Sequence, residues 1–288
     1  MAAANGSVKK DDSVCVRWSD SGLPIIDLQA LLSDDEATVT ELHRVCRDEG
    51  FFYVSNLGFD DSVIDNALQA NRDFFNLPKE NKESVAACNS HLFRGYQSLE
   101  TGSHNCKSNT GREQKESYVV GSDLNDSPGQ RGSPLHGDNQ WPDACKYQSA
   151  SGEQAIFDAY TFRTSVESFK KNCADVTRKL CIGLARALGK DREFFKSKFT
   201  DPVIQCVLFK YPGLQGTELV GCGEHTDVGF LTLLAQDDVG GIEIFHQNEW
   251  KRPANIKGTL LVNFGRMLRK LQTNLDFSNC LGPQFKPI

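Results

Sequence analysis

Gly221-Cys222-Gly223-Glu224-His225-Thr226-Asp227-Val228-Gly229-Phe230-Leu231-Thr232-Leu233-Leu234 sets an imidazole and a carboxylate two residues apart, at the head of an apolar run. The β-branched and aromatic residues from Val228 to Leu234 predict an extended segment, in which residues i and i+2 face the same way. His225 and Asp227 would then reach one metal ion together. Cys222, three positions earlier, leaves a second option open, because Cys222, His225 and Asp227 form a donor set that suits zinc. His-x-Asp also occurs in ordinary polar turns, so the residues around it have to decide.

Outward from this stretch the pattern is one of short apolar runs punctuated by glycine. Val203-Ile204-Gln205-Cys206-Val207-Leu208-Phe209, Gly241-Ile242-Glu243-Ile244-Phe245 and Gly258-Thr259-Leu260-Leu261-Val262-Asn263-Phe264-Gly265 follow one another without helices between them. Strands so spaced imply an antiparallel sandwich or barrel. Ahead of them, Phe162, Val166, Phe169, Cys173, Val176, Leu180, Leu184 and Leu188 recur by three and four, which predicts a long amphipathic helix closed by Gly189.

The first hundred residues alternate strand and helix signals. Leu23-Pro24-Ile25-Ile26-Asp27-Leu28 and Phe51-Phe52-Tyr53-Val54-Ser55 have strand character. Between them Ser33 and Glu36 have the spacing of a capping box, opening a helix with Val39, Leu42 and Cys46 on one face and Gly50 as its terminator. A second helix, capped by Asp60 or Asp61, carries Val63, Ala67, Ala70 and Phe74 and ends ahead of Pro78. From about Leu99 to Gln154 the composition turns to Gly, Ser, Asn, Gln and Asp, broken by Tyr118-Val119-Val120 and by His136-Gly137-Asp138-Asn139-Gln140-Trp141-Pro142, which suits a lid-like loop. His91, His104 and His136 fall in or near it and are expected to be solvated loop histidines. The resulting organisation is a disordered head over 1–20, an N-terminal region over 21–150 with the lid-like loop 99–154, a long helix and connector over 151–200, and a β core over 201–288.

Composition limits the function. A chain of 288 residues with 39% hydrophobic side chains can bury a core as one large or two small domains. A net charge of −6 with no basic block argues against nucleic acid as a partner and favours a small-molecule substrate. No run of eighteen apolar residues exists to cross a membrane, and the first residues lack an apolar leader. The 10 cysteines contain no Cys-x-x-Cys pair, and several sit in apolar periodic stretches, as reduced thiols of a cytoplasmic protein would.

Taken in order, these motifs resemble the plant-type Fe(II)- and 2-oxoglutarate-dependent oxygenases over nearly the whole chain. Leu23 to Leu28, Gly50-Phe51-Phe52-Tyr53-Val54, Phe74-Phe75-Asn76-Leu77-Pro78 and Arg94-Gly95-Tyr96 are similar to the N-terminal region of that family. Tyr211-Pro212, His225-Thr226-Asp227, Gly240-Gly241-Ile242-Glu243-Ile244, Trp250 and Val262-Asn263-Phe264-Gly265 are similar to its double-stranded β-helix core. The resemblance implies an α+β fold with that jelly-roll core and flanking helices. It also implies Fe(II) held by two histidines and a carboxylate, with 2-oxoglutarate and O2 as co-substrates and a small organic metabolite oxidised. His225 and Asp227 would be two of the ligands, and Tyr211 would donate a hydrogen bond to a 2-oxoglutarate carboxylate.

The chain departs from the family after the Val-Asn-Phe-Gly strand. The family places a second histidine about fifty residues after its aspartate, followed by Arg-x-Ser, whereas here that spacing lands near Cys280 and Leu281. His246, the only later histidine, falls in a hairpin and comes too early; Arg266 and Arg269 also precede the expected arginine. The expectation is a core incomplete at its C-terminal strands, truncated or alternatively ended, with exposed strand edges and poor activity. A non-catalytic binding or regulatory module on the same fold is the alternative.

Overall fold

The computed structural model describes residues 17–18, 22–99, 114–123, 135–213, 221–246, 249–268 and 284–287. In chain order the elements are β1 (Arg17–Trp18), β2 (Pro24–Asp27), α1 (Leu28–Leu32), α2 (Glu36–Asp48), β3 (Phe51–Ser55), α3 (Ser62–Phe75), α4 (Lys79–Glu83), β4 (Gly95–Gln97) and β5 (Glu116–Gly121). Then come β6 (Cys145–Gln148), β7 (Gln154–Phe157), α5 (Ala159–Ala187), β8 (Gln205–Lys210), β9 (Leu231–Leu234), β10 (Ile242–His246), β11 (Glu249–Lys251), β12 (Leu260–Phe264) and β13 (Gln284–Pro287). They fall into two compact units, one of residues 1–59, 175–198 and 224–288, the other of residues 60–174 and 199–223.

The unit that carries His225 and Asp227 contains a five-stranded sheet in the order β1-β2-β3-β12-β9 and a three-stranded sheet β11-β10-β13. β2 and β3 run parallel, joined through α1 and α2, while β3, β12 and β9 are antiparallel neighbours. All five residues of β3 and all five of β12 are buried, as central strands covered on both faces require. Leu23, Phe51, Tyr53 and Leu261 pack with Ile244 of β10, so the two sheets share one core. β13 pairs antiparallel with β10, Ile242 opposite Pro287, so β10 has a neighbour on each side. β10 is therefore not a bare edge, whereas the outer strands of the large sheet among the described residues are β1 and β9.

Local chemistry explains most of this unit's boundaries and moves two of them. Asp35, not Ser33, caps α2: its carboxylate accepts the Thr38 amide at 2.8 Å, while Ser33 ends α1. The capping-box spacing was present, but Asp35 reaches the first turn at shorter range. Gly50 ends α2 at φ +77, a conformation that would strain any other residue here. The His-Asp stretch is not a strand from Val228 onward, since β9 begins at Leu231 and Val228 is exposed.

The second unit is organised on the sheet β4-β5-β8, the hairpin β6-β7, α3 and the first part of α5. Phe74 of α3 is its hub, stacked on Phe162 at 5.3 Å and meeting Tyr118 of β5 at 4.5 Å. The buried stripe of α3 runs through Ile64, Ala70, Phe74 and Phe75, so Ile64 takes the place expected for Val63. Part of the stretch expected to be a loop is regular: β5 is the central strand of its sheet and β6 pairs with β7. His136 is buried there, 3.8 Å from Asp201, which corrects its reading as a solvated histidine. His91 is exposed as expected, and His104 lies outside the described residues.

Candidate metal centre

His225 and Asp227 stand in the turn that leads into β9, and the turn is laced to the end of β12. The Asp227 carbonyl accepts the Arg266 amide at 2.8 Å, the Gly229 carbonyl accepts that of Met267 at 3.2 Å, and Phe230 accepts that of Gly265 at 3.0 Å. This approach is so close that a Cβ on Gly265 would collide with the Gly229 carbonyl, which is why glycine ends the apolar run of β12. Phe230 is buried and meets Phe195 edge-on at 5.2 Å, which pins the turn from its inner side.

Within that frame His225 Nε2 lies 3.8 Å from Asp227 Oδ1. The other carboxylate oxygen, Oδ2, accepts the Thr232 hydroxyl and Asn263 Nδ2, the latter at 3.1 Å. One oxygen is thus occupied by protein donors and the other faces the imidazole. Both side chains retain access, 37% for His225 and 22% for Asp227. An imidazole nitrogen and a carboxylate oxygen turned toward each other fit two neighbouring corners of an Fe(II) coordination sphere. Among the described residues no three His, Cys, Asp or Glu side chains assemble into a metal-holding group.

That last observation corrects the zinc option, since Cys222, His225 and Asp227 are all described and do not converge. The Cys222 sulfur is buried and instead receives Lys115 Nζ at 2.9 Å. His246 closes β10 opposite Glu249, in the hairpin where it was expected. Arg266 is exposed and contributes to the turn through its backbone; Arg269 and Cys280 lie outside the described residues. In the other unit Tyr211 directly follows β8, its ring stacked on Phe209 at 5.8 Å.

Thr232 and Asn263 were not singled out in the sequence. The signal was there for Asn263: it is an amide amid four apolar residues in a buried strand, and a buried amide must find hydrogen bonds.

Comparison with known proteins places the chain in a family. Residues 23–144 match the family described as non-haem dioxygenase in morphine synthesis N-terminal, and residues 203–280 match the 2OG-Fe(II) oxygenase superfamily. The chain is 32% identical to a homoarginine-6-hydroxylase of Glycine max over 86% of its own length and 76% of that protein. It is 31% identical to a homoarginine-6-hydroxylase of Arabidopsis thaliana over 88% of its length and 70% of that protein. Among solved structures, a 2OG-Fe(II) oxygenase family protein of Caulobacter crescentus superposes with a TM-score of 0.71 at 25% identity, covering 92% of this chain and 80% of that one. A full-length Neurospora crassa protein, solved in complex with alpha-KG and 5-formyluracil, superposes with a TM-score of 0.70 at 22% identity, covering 98% and 81%.

The protein belongs to the 2OG-Fe(II) oxygenase superfamily. Its fold is the double-stranded β-helix with flanking helices, and Fe(II), 2-oxoglutarate and O2 are the reagents of the family. The match of residues 203–280 extends past Arg266, beyond the last of the short motifs that resemble the family.

Proposed function

We propose that this chain couples the oxidation of 2-oxoglutarate to the hydroxylation of a small organic metabolite, with His225 and Asp227 as iron ligands. The observation that carries the reading is the 3.8 Å approach of His225 Nε2 to Asp227 Oδ1 on a chain of this family. Bound iron supplies the activation of dioxygen that no side chain can provide. The protein residues hold and orient. His225 offers the lone pair of a neutral imidazole, Asp227 offers one carboxylate oxygen and a compensating charge, and Tyr211, by resemblance, donates its hydroxyl to a carboxylate of 2-oxoglutarate.

For the substrate, the relatives supply the first candidates. Homoarginine-6-hydroxylases at 31–32% identity, and proteins of Dictyostelium named 1-aminocyclopropane-1-carboxylate oxidase at 23%, carry the names of amino acids. We therefore assign an amino-acid-like small molecule as the class to screen first. The test is succinate formation from 2-oxoglutarate by the purified chain, with Fe(II) present and a panel of basic and cyclic amino acids added. The expected result is Fe(II)-dependent succinate that His225→Ala abolishes. Succinate that is independent of Fe(II) or unaffected by His225→Ala would overturn the reading, as would none at all from a chain that also retains no divalent metal.

A further inference from the structure

Asp227 has two chemically equivalent oxygens, and the fold treats them differently. Thr232 on β9 and Asn263 on β12 are direct cross-strand partners, so their side chains rise from the same face of the sheet. Both donate to the same atom, Asp227 Oδ2, while Oδ1 is left 3.8 Å from His225 Nε2. Asn263 is 5% exposed, and the other four residues of β12 are apolar and buried. Burying an amide there costs stability unless its hydrogen bonds are made, so its placement is tied to the carboxylate it meets.

We propose that Thr232 and Asn263 are positioning residues that select Oδ1 of Asp227 as the single metal-binding oxygen. The proposal rests on the iron-ligand reading of His225 and Asp227. A carboxylate with both oxygens free can rotate, or chelate a cation through both atoms and take up a further coordination position. Two donors on Oδ2 remove both possibilities. They hold the carboxylate turned to the His225 side, so that it would offer a bound cation one oxygen. The device needs two strands in register: β9 supplies the hydroxyl, β12 supplies the amide, and the turn between residues 227 and 230 hangs the carboxylate over them.

The test is Mn(II) binding, read from the electron paramagnetic resonance signal of the free ion, together with the melting temperature of the metal-free protein. Thr232→Val keeps the shape and removes the hydroxyl donor. The expected result is Mn(II) affinity reduced roughly 10- to 100-fold, with metal-free melting within a few degrees of the parent. Thr232→Ser, which restores the hydroxyl, should recover most of the affinity. Asn263→Ala makes the same test from β12. Parent-like Mn(II) affinity in Thr232→Val and Asn263→Ala would overturn the proposal while leaving the metal site intact, and so would failure of Thr232→Ser to recover affinity. Absence of Mn(II) binding by the parent chain would instead bring down the iron-ligand reading, and this proposal with it.

Discussion

Lys82 Nζ lies 2.6 Å from Glu116 Oε2, with each side chain only 10% exposed. Tyr96 donates its hydroxyl to the same oxygen at 2.5 Å, and Lys210 approaches the other oxygen at 3.7 Å. Three groups, from α4, β4 and β8, thus meet on the one buried carboxylate of β5. Removing one partner from such a pair leaves an uncompensated buried charge, which costs about 3–5 kcal/mol. Lys82→Met should therefore lower the unfolding free energy by about that amount in urea titration at pH 7. The pH dependence follows from Glu116. Burial by itself would push its carboxyl up, but the hydrogen bonds from Lys82 and Tyr96 outweigh that and hold it below the ordinary range. Its contribution is fully present above the unfolded carboxylate pKa, about 4.3, and is lost as pH falls through the folded value. In Lys82→Met burial dominates instead and raises the folded carboxyl, so the stability gap between parent and variant should begin to narrow above about pH 4.3, as the variant's carboxyl protonates, and narrow further below it as the parent loses its contribution. A gap that stays constant down to pH 3 would contradict this account.

Gly265 and Gly229 face each other across the turn that carries Asp227, and their tolerance to substitution should be opposite. A Cβ on Gly265 meets the Gly229 backbone, whereas a Cβ on Gly229 meets nothing within 4 Å. Gly265→Ala must displace backbone, at a cost of about 1–3 kcal/mol. It should also weaken divalent-metal binding, because the displaced segment holds the Asp227 carbonyl through Arg266. Gly229→Ala should stay within about 0.5 kcal/mol of the parent. Urea midpoints of the two variants, measured side by side, check the asymmetry.

The elements that the sequence disclosed were those whose signal is local. The face of α2 through Val39, Leu42 and Cys46 is buried as its spacing implied, and Gly50 ends that helix with the positive φ expected of a terminator. β3 and β12 were legible because central strands need unbroken apolar runs. The order of short motifs pointed to the family, and the motif His225-x-Asp227 pointed to the pair. What was not legible depends on contacts distant in sequence. The Thr232 and Asn263 donors converge on Asp227 only after β9 and β12 pair in one register. The burial of His136 was hidden by a polar local composition, and the central place of β5, whose Tyr118-Val119-Val120 interrupts that composition, shows only once β4 and β8 pair on either side of it.

Among the described residues, Cys88, Cys145, Cys181 and Cys206 are free thiols. Burial pushes the Cys181 thiol up to about 12 and the Cys206 thiol up to about 11. Only the thiolate is nucleophilic, so at pH 8 a thiol with a pKa of 12 offers roughly one reactive molecule in ten thousand. Cys88 is exposed. Brief alkylation of the native protein at pH 8, followed by peptide mass spectrometry, should label Cys88 first and reach Cys181 and Cys206 only after urea is added. Early labelling of Cys181 would show that α5 opens in the native state.

Tyr211 offers the sharpest test of how the co-substrate is held. Its ring is stacked against Phe209 at 5.8 Å, and Lys115 lies over the Phe209 ring at 5.7 Å, so an aromatic and cationic support fixes the ring whether or not the hydroxyl is present. Tyr211→Phe keeps that stacking and deletes one donor. A hydrogen bond to a charged carboxylate is worth about 1.5–3 kcal/mol, so losing it should raise the KM for 2-oxoglutarate by roughly 10- to 100-fold. A hydroxyl that only binds the co-substrate should leave kcat at saturating 2-oxoglutarate close to that of the parent. Unchanged KM and kcat together would remove Tyr211 from the co-substrate site. A fall in kcat at unchanged KM would mean that the hydroxyl acts in the transition state and not in binding.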